Sequence, residues 1–543
     1  MNRLSQTTPG LRKPDANPAR RLGRLFRRYR WAPVLIALTA ALLGFVSRFH
    51  SPHTGFTSLL LIGDELTPSK ALLDQHPYVF KGTNGYDGQA YVQIALDPLL
   101  RNPGLVRSVD ALGYRARRIF IPACAWLAGL GHPAWIVQAY ALSNVFSWLL
   151  LGILLLHWLP PDSPQNVFRW AGILFTHGLC TSLRCSLTDG PGLTLLALGI
   201  LFLETGRLRG ALGTFAATIL SRETYVLNTA AALIPDRLRD LRAWRRAAWL
   251  TFLTVLPLLV WMAYVRFETG APRAEGARNF EWPGLGYLHR WHELLSGSDG
   301  RQFLLDFRVV GILSQVALTV QFLCIVLRPQ PRNAWWRVGA VSALLGCVLG
   351  PAVWEGFPGA ALRVLLPMTV AFNLLLPRGR RWIPLLLIGN LTLLGGLGEL
   401  RDAPVFSAEW QGERGAIYAT SLDVGHGWYY AESNQKQTWR WCRGTGELVF
   451  TNHGTTPTEI SLSGRLSALS PRSVVLRRGN TILWRSATFK RVIPFHTPTL
   501  VIPPGVTRLE LSSDQPLVKA SPTDSRLVSF AVYDLSVRVQ PAP

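Results

Sequence analysis

The chain has 543 residues, 49% of them hydrophobic and 16% charged, with a mean hydropathy of +0.20. That is too apolar and too poor in charge for an ordinary soluble protein of this size, so the bilayer is the expected solvent. A formal charge of +24 would suggest nucleic acid in a soluble chain, but here the arginines cluster in short links between apolar runs. That is the pattern of cytoplasmic loops, and nucleic acid is not an expected partner.

Residues 1–30 form a basic tail, with Arg3, Arg12, Lys13, Arg20, Arg21, Arg24, Arg27, Arg28 and Arg30 set against Asp15. The run "WAPVLIALTAALLGFVS" follows without a small-residue cleavage site, so it reads as an uncleaved signal anchor with a cytoplasmic N-terminus. A first extracytoplasmic loop is expected over 48–117. Within it "TNGYDGQAYVQIALDPLL" sets Asp87 before Ala90, Tyr91, Ile94 and Ala95 at helical spacing, and Asp97-Pro98 ends the helix. Asp87 therefore has two readings, a helix cap or a working carboxylate. A capping box would want Glu or Gln at position 90, which is Ala.

"GYRARRIF" then places Arg115, Arg117 and Arg118 on the outside, against the positive-inside bias. They are either interfacial anchors that snorkel to lipid phosphates or a cradle for a phosphate-bearing substrate, which the planar guanidinium fork suits.

Twelve apolar runs occur between residues 31 and 399. Several have roughly 13 residues, about 20 Å of helix against a hydrocarbon core of about 30 Å, and short or broken helices suggest a cavity. Arginine-rich links near 204–209, 236–246, 328–337 and 378–381 are expected in the cytoplasm. They put Asp189, Arg222, Glu223, the 267–308 loop and Glu355 outside. The 118–131 run breaks the parity and is expected to be re-entrant or juxtamembrane, leaving about eleven spans in a polytopic α-helical domain over 31–400.

Polar groups at membrane depth are costly and mark function. The outward set is Asp87, Asp97, Asp189, Glu223 and Glu355, with Arg222 and Arg363 close in sequence to two of them. Plainer readings stand beside these: Asp189 in "LTDGPG" as a helix cap, and Arg222–Glu223 as structural glue between helices. Five of the six cysteines lie in apolar segments, Cys442 in the polar C-terminal part, and no disulfide framework or zinc spacing is present.

From 403 to 543 apolar and polar residues alternate between turns. In "VTRLELSS" Val506, Leu509 and Leu511 oppose Arg508, Glu510 and Ser512 with one slip, and in "YDLSVRV" Leu535, Val537 and Val539 oppose Ser536 and Arg538. An extracytoplasmic antiparallel β-sandwich is expected. Trp428 and Trp439 are candidates for glycan contact, with core packing as the alternative.

"GYDGQAYVQIALDP", "YRARRIFIPACAWLAGLG", "LTDGPGLTLLALGILFLETGRLRG" and "LSRET" together resemble bacterial members of the GT-C superfamily of integral-membrane glycosyltransferases, over most of residues 30–400. "WYYAE", "WRW" and "DSR" are similar to the β-domain attached to some of them.

The resemblance implies a multi-pass protein of the bacterial cytoplasmic membrane that moves a sugar from a polyprenyl-phosphate donor to an extracytoplasmic glycan, lipid or protein acceptor. Asp87 would be the base, with Asp189 and Glu223 as further catalytic candidates. Arg115, Arg117, Arg118, Arg222 and Arg363 would hold the donor phosphate. Metal-dependent members of the family use additional acids near the base of the loop, where this chain has only Asp64 and Glu65, so no metal or other cofactor is expected to be required. The competing readings are a transporter or flippase for a lipid-linked substrate, for which no internal repeat is evident, and a non-catalytic membrane scaffold.

Overall fold

The computed structural model describes residues 29–51, 54–63, 66, 68–80, 83–235, 240–270, 279–296, 307–354, 360–400, 410–411, 420–429, 432–434, 437–452, 457–520 and 526–541. The basic tail up to residue 28, Asp64, Glu65, Glu355 and Asp524 lie outside these residues, and so do the expectations placed on them.

Among the described residues the stretch from Ala32 to Glu399 is mainly helical, with one short strand pair, Ile62–Gly63 and Val79–Phe80, in the first loop, and strands follow from Trp410 to Pro541. Among the described residues three helices are long and apolar enough to cross a membrane: Pro133–Trp158, Leu241–Thr269 and Arg308–Val326. Two bent pairs, His177–Arg184 with Asp189–Glu204 and Arg380–Ile388 with Thr392–Glu399, bring the number to five if each pair is one span. This corrects the expectation of about eleven spans. A hydropathy run counts apolar residues, whereas turns, prolines and glycines divide many of these runs into helices too short to span. The 167–187 run, for example, is cut at Phe175–Thr176 into Pro164–Leu174 and His177–Arg184. The run at 118–131 becomes the nine-residue helix Phe120–Ala128, about 14 Å long at 1.5 Å per residue.

The sharpest break, 120° between Arg184 and Asp189, leaves backbone groups that no helix satisfies. The Pro133–Trp158 helix supplies the partners. Tyr140 donates to the Ser186 carbonyl at 3.1 Å and Asn144 Nδ2 to the Leu187 carbonyl at 2.7 Å. Ser182 Oγ donates to Asn144 Oδ1 at 2.9 Å and accepts from the Gly190 amide at 2.8 Å. These bonds tie the break to the Pro133–Trp158 helix as a buried corner that holds Asp189 inside the bundle.

Not every arginine in a link is a loop charge. Arg337 is buried and donates to the Ala231 and Ala232 carbonyls at the end of the Tyr225–Leu233 helix, and Arg169 does the same for Asn373 and Pro377 at the end of Leu366–Leu375. A cation there meets the negative end of the helix dipole as well as unpaired carbonyls.

The C-terminal strands form a five-stranded and a seven-stranded antiparallel sheet. Leu448, Phe450, Leu509 and Leu511 of the first sheet and Ile460, Leu462, Phe530 and Val537 of the second share one apolar cluster. In Gly505–Ser512 the buried face is Thr507, Leu509 and Leu511, while Val506 points outward. The slip in the alternation is thus a threonine taking the inward position, and period two holds without a break.

Candidate active site

Sites for three of the carboxylates are built from the first loop upward. Asp87 opens the Asp87–Leu96 helix, and its neighbour Tyr86, in extended conformation, is the cap residue; neither side chain makes a capping hydrogen bond. The cap reading of Asp87 is therefore corrected. The carboxylate turns instead to Arg115, whose Nη1 lies 2.7 Å from Asp87 Oδ2, while Nη2 holds Asp110 at 2.8 Å. Asp189 is likewise the first helical residue of its helix and not its cap, which is Thr188.

Gly88 explains why the loop helix can lie where it does. A Cβ there would sit 2.4 Å from the Cys185 carbonyl oxygen and 2.8 Å from that of Leu60, so only glycine lets the helix start touch the corner that carries Asp189. Gln89 and Gln93, one turn apart, fix the preceding loop: Gln89 Oε1 accepts from the Gly63 amide at 2.7 Å and Gln93 Oε1 from the Ser69 amide at 2.7 Å. Each residue of "YDGQ" thus has its own task.

Arg118 is buried and saturated. Its Nε and Nη2 bind Glu223 in a two-pronged pair at 2.9 and 2.8 Å, Nη1 donates to Tyr91 OH at 2.5 Å, and Nη2 also reaches Tyr114 OH at 2.8 Å. Arg222 pairs with Asp189 Oδ1, and Arg363 Nη1 approaches Asp189 Oδ2 at 3.3 Å while its Nη2 donates to Tyr86 OH at 2.8 Å. The glue reading of Arg222 and Glu223 agrees with these pairs, since Arg222 joins the start of the Asp189–Glu204 helix and Glu223 the link before Phe120–Ala128. Arg117 stacks over the Tyr114 ring at 5.6 Å, a ring that Arg115 and Arg118 also approach, and no carboxylate pairs with Arg117 among the described residues.

These pairs are one cluster. Burial pushes the Tyr86 phenol above its ordinary range, Arg363 opposes the shift, and Asp87 and Asp189 add to it. Burial likewise raises the Tyr91 phenol, against Arg118 and Arg115 and with help from Asp87 and Glu223. One ring thus senses the Asp87 and Glu223 pairs together, and the other connects Asp87 to Asp189. Both phenols stay protonated at neutral pH, accept from a guanidinium, and keep their own protons to donate. Counting Asp110, five arginines face four carboxylates, so the cluster carries one surplus positive charge suited to an anion.

The three catalytic candidates differ in access. The Asp189 side chain is 1% exposed, Asp87 18% and Glu223 21%. Asp189 is locked between two arginines, Glu223 has both oxygens on one guanidinium, and Asp87 has one oxygen on Arg115. Arg363 Nε is buried without a hydrogen-bond partner, the kind of orphan donor that calls for an acceptor. Asp97 stays apart and accepts from the Asn102 amide at the end of the loop helix. Among the described residues no group of three or more His, Cys, Asp or Glu is arranged to hold a metal.

The sequence reading missed Tyr86, Tyr91 and Tyr114, the phenols that tie the charges together. In the β-region Trp428 lies edge-on to Phe530 at 5.9 Å and donates to the Glu447 carbonyl at 3.0 Å, a packing role. Trp439 is half-buried, stacked on Tyr533 at 5.4 Å and bonded to Glu432 at 3.2 Å.

No family model and no curated protein matches this chain. Among solved structures it is similar to the arabinosyltransferase EmbB from Mycobacterium smegmatis, at 11% identity and a TM-score of 0.22, over 78% of this chain. The chain spans 59% of the length of that protein.

Proposed function

We propose that the protein is a membrane glycosyltransferase that moves a sugar from a polyprenyl-phosphate donor to an acceptor outside the cytoplasmic membrane. One observation carries the reading: a partly accessible carboxylate, Asp87, shares a cluster with five arginines and three phenols. Such a site has a base and an anion hole side by side.

In the reaction the acceptor hydroxyl attacks the anomeric carbon while Asp87 takes its proton. The bond from the anomeric carbon to the phosphate oxygen breaks, and its electron pair leaves with the polyprenyl phosphate. Arg117, which pairs with no carboxylate among the described residues, and Arg363, with its orphan Nε–H, are the groups with donors to spare for that phosphate; Arg115, Arg118 and Arg222 add to the positive field. Asp189 acts through Arg222 and Arg363 by holding them in place, and Glu223 does so through Arg118. Trp439, on its Tyr533 platform, is the residue suited to contact an acceptor glycan, whereas Trp428 belongs to the core.

The test is transfer from a panel of radiolabelled polyprenyl-phosphate sugars by the full-length protein in nanodiscs, with envelope extract as acceptor. Transfer of one sugar is expected, and Trp439→Ala should raise the KM for a polymeric acceptor without changing donor KM. Neither transfer nor saturable donor binding across the panel would overturn the reading.

A further inference from the structure

The Leu285–Ser296 helix lies in sequence between two helices long and apolar enough to cross a membrane, Leu241–Thr269 and Arg308–Val326. An extracytoplasmic loop over 267–308 is the sequence expectation for this stretch, and its residues are sorted by face. Leu285, Leu288, His292 and Leu295 recur at helical spacing along one stripe and all are exposed. Leu288 is 59% and Leu295 64% exposed, and just before the helix Trp282 is 78% exposed.

The stripe is not waiting to turn inward. The other face is docked: Gly286 and Leu294 are buried, Tyr287 OH shares a hydrogen bond with Thr319 Oγ1 at 2.5 Å, and the Tyr287 ring meets Trp354 edge-on at 5.6 Å. The lead-in is pinned by backbone as well. The Glu281 amide donates to the Val348 carbonyl at 3.0 Å, the Gly284 amide to Cys347 at 2.7 Å, and the Gly350 amide to Asn279 at 2.8 Å. A Cβ at Gly286 would meet the Leu349 carbonyl oxygen at 2.3 Å, so the contact is as close as backbone allows.

What covers the stripe follows from its neighbours. The following long helix packs against this one and exposes Val309 near its start, so the apolar surface continues onto it, and the preceding long helix also exposes an aromatic, Phe267, near its end. Phe280 and Trp282 lead into the helix, His289 borders its leucines, and His292 lies among them as the one polar residue of the stripe. An apolar stripe with aromatic anchors and a polar flank is the pattern of a helix lying in the membrane boundary.

We propose that Leu285–Ser296 is an interfacial helix, its Leu285, Leu288 and Leu295 and the adjoining Trp282 seated in the boundary between headgroups and acyl chains. The occupant of the exposed stripe is the bilayer itself. Through Gly284 and Tyr287 the same segment walls a mostly apolar cavity of about 250 Å³ that also borders Phe322 and Met368, so its depth decides whether that cavity meets acyl chains or water.

The experiment is spin-label depth measurement on the full-length protein in nanodiscs of phosphatidylethanolamine and phosphatidylglycerol. Single labels go on Trp282→Cys, Leu288→Cys and Leu295→Cys, with Cys124, Cys324 and Cys347 replaced by Ser. Labels at all three sites should be broadened more by membrane-dissolved oxygen than by a water-soluble nickel chelate. Hydroxyl-radical footprinting of the unaltered protein should show Trp282 and Leu288 protected in nanodiscs, which covers the case of a labelled variant that does not fold. Stronger broadening by nickel at Leu288 and Leu295, with rapid oxidation of Trp282, would mean a solvated loop and overturn the proposal. Shielding from both reagents would mean a protein contact and overturn it equally.

Discussion

Two sets of arginine–carboxylate pairs, one among the helices and one among the strands, use the same chemistry in different solvents. Arg118, Arg222 and Arg363 are buried and share their partners with phenols and with one another. Arg465–Asp534 in the β-region has both side chains well exposed to water, and Arg526–Glu432 is about one-third exposed. In the first set each charge has given up its hydration and depends on its neighbour; in the second, water stands ready to replace the partner. The cost of breaking a pair should therefore follow burial, not distance.

Asp189→Asn should break this comparison most visibly. It leaves Arg222 and Arg363 buried without their shared carboxylate, and the removal of one partner from a buried pair typically costs about 3–5 kcal/mol. Equilibrium unfolding in mixed micelles reads the loss directly. An unchanged midpoint would mean that water reaches this cluster and that the burial argument is wrong.

Gly88→Ala comes next. The new methyl must push back the Cys185 or Leu60 carbonyl, an overpacking that typically costs about 1–3 kcal/mol. Because the displaced segment carries Asp87, transfer should fall by more than the lost stability accounts for. Proportional losses in both would reduce Gly88 to a packing residue.

How far the sequence foretold this cluster depends on the kind of signal. Arg115, Arg117 and Arg118 stood out because they break the positive-inside bias, and Asp189 and Glu223 because carboxylates are expensive in apolar surroundings. Each of those signals belongs to a single residue. The pairings do not: Arg118 and Glu223 are 105 residues apart, and Arg363 reaches Asp189 across 174, so no local pattern could have matched them. Tyr86, Tyr91 and Tyr114 gave no warning because tyrosine is an ordinary resident of membrane boundaries. Likewise, alternation announced the strands of the β-region, but only the register shows that Thr507 and not Val506 faces the core. The span count failed for a related reason, since hydropathy measures how apolar a run is and not where the backbone turns within it.

The smallest effect belongs to the strands. Arg465→Met removes an exposed partner of Asp534, and the change in the unfolding midpoint of the β-region should correspond to less than about 1 kcal/mol, shrinking further in high salt. A loss as large as that of Asp189→Asn would erase the distinction between the two regions.

The central claim is that Asp87 works as a base while Asp189 anchors, and Asp87→Asn tests it most directly. The side chain is 18% exposed and starts a helix without capping it, so the change, which loses one partly buried pair with Arg115 and a part of the dipole interaction, should lower the melting temperature less than Asp189→Asn does. Asn cannot take the acceptor proton, and general-base assistance is typically worth about 10²–10⁴-fold. The full-length protein in nanodiscs should therefore lose transfer by about 100-fold or more while it still binds the polyprenyl-phosphate sugar and melts above the Asp189→Asn protein. Wild-type transfer by Asp87→Asn would contradict the account.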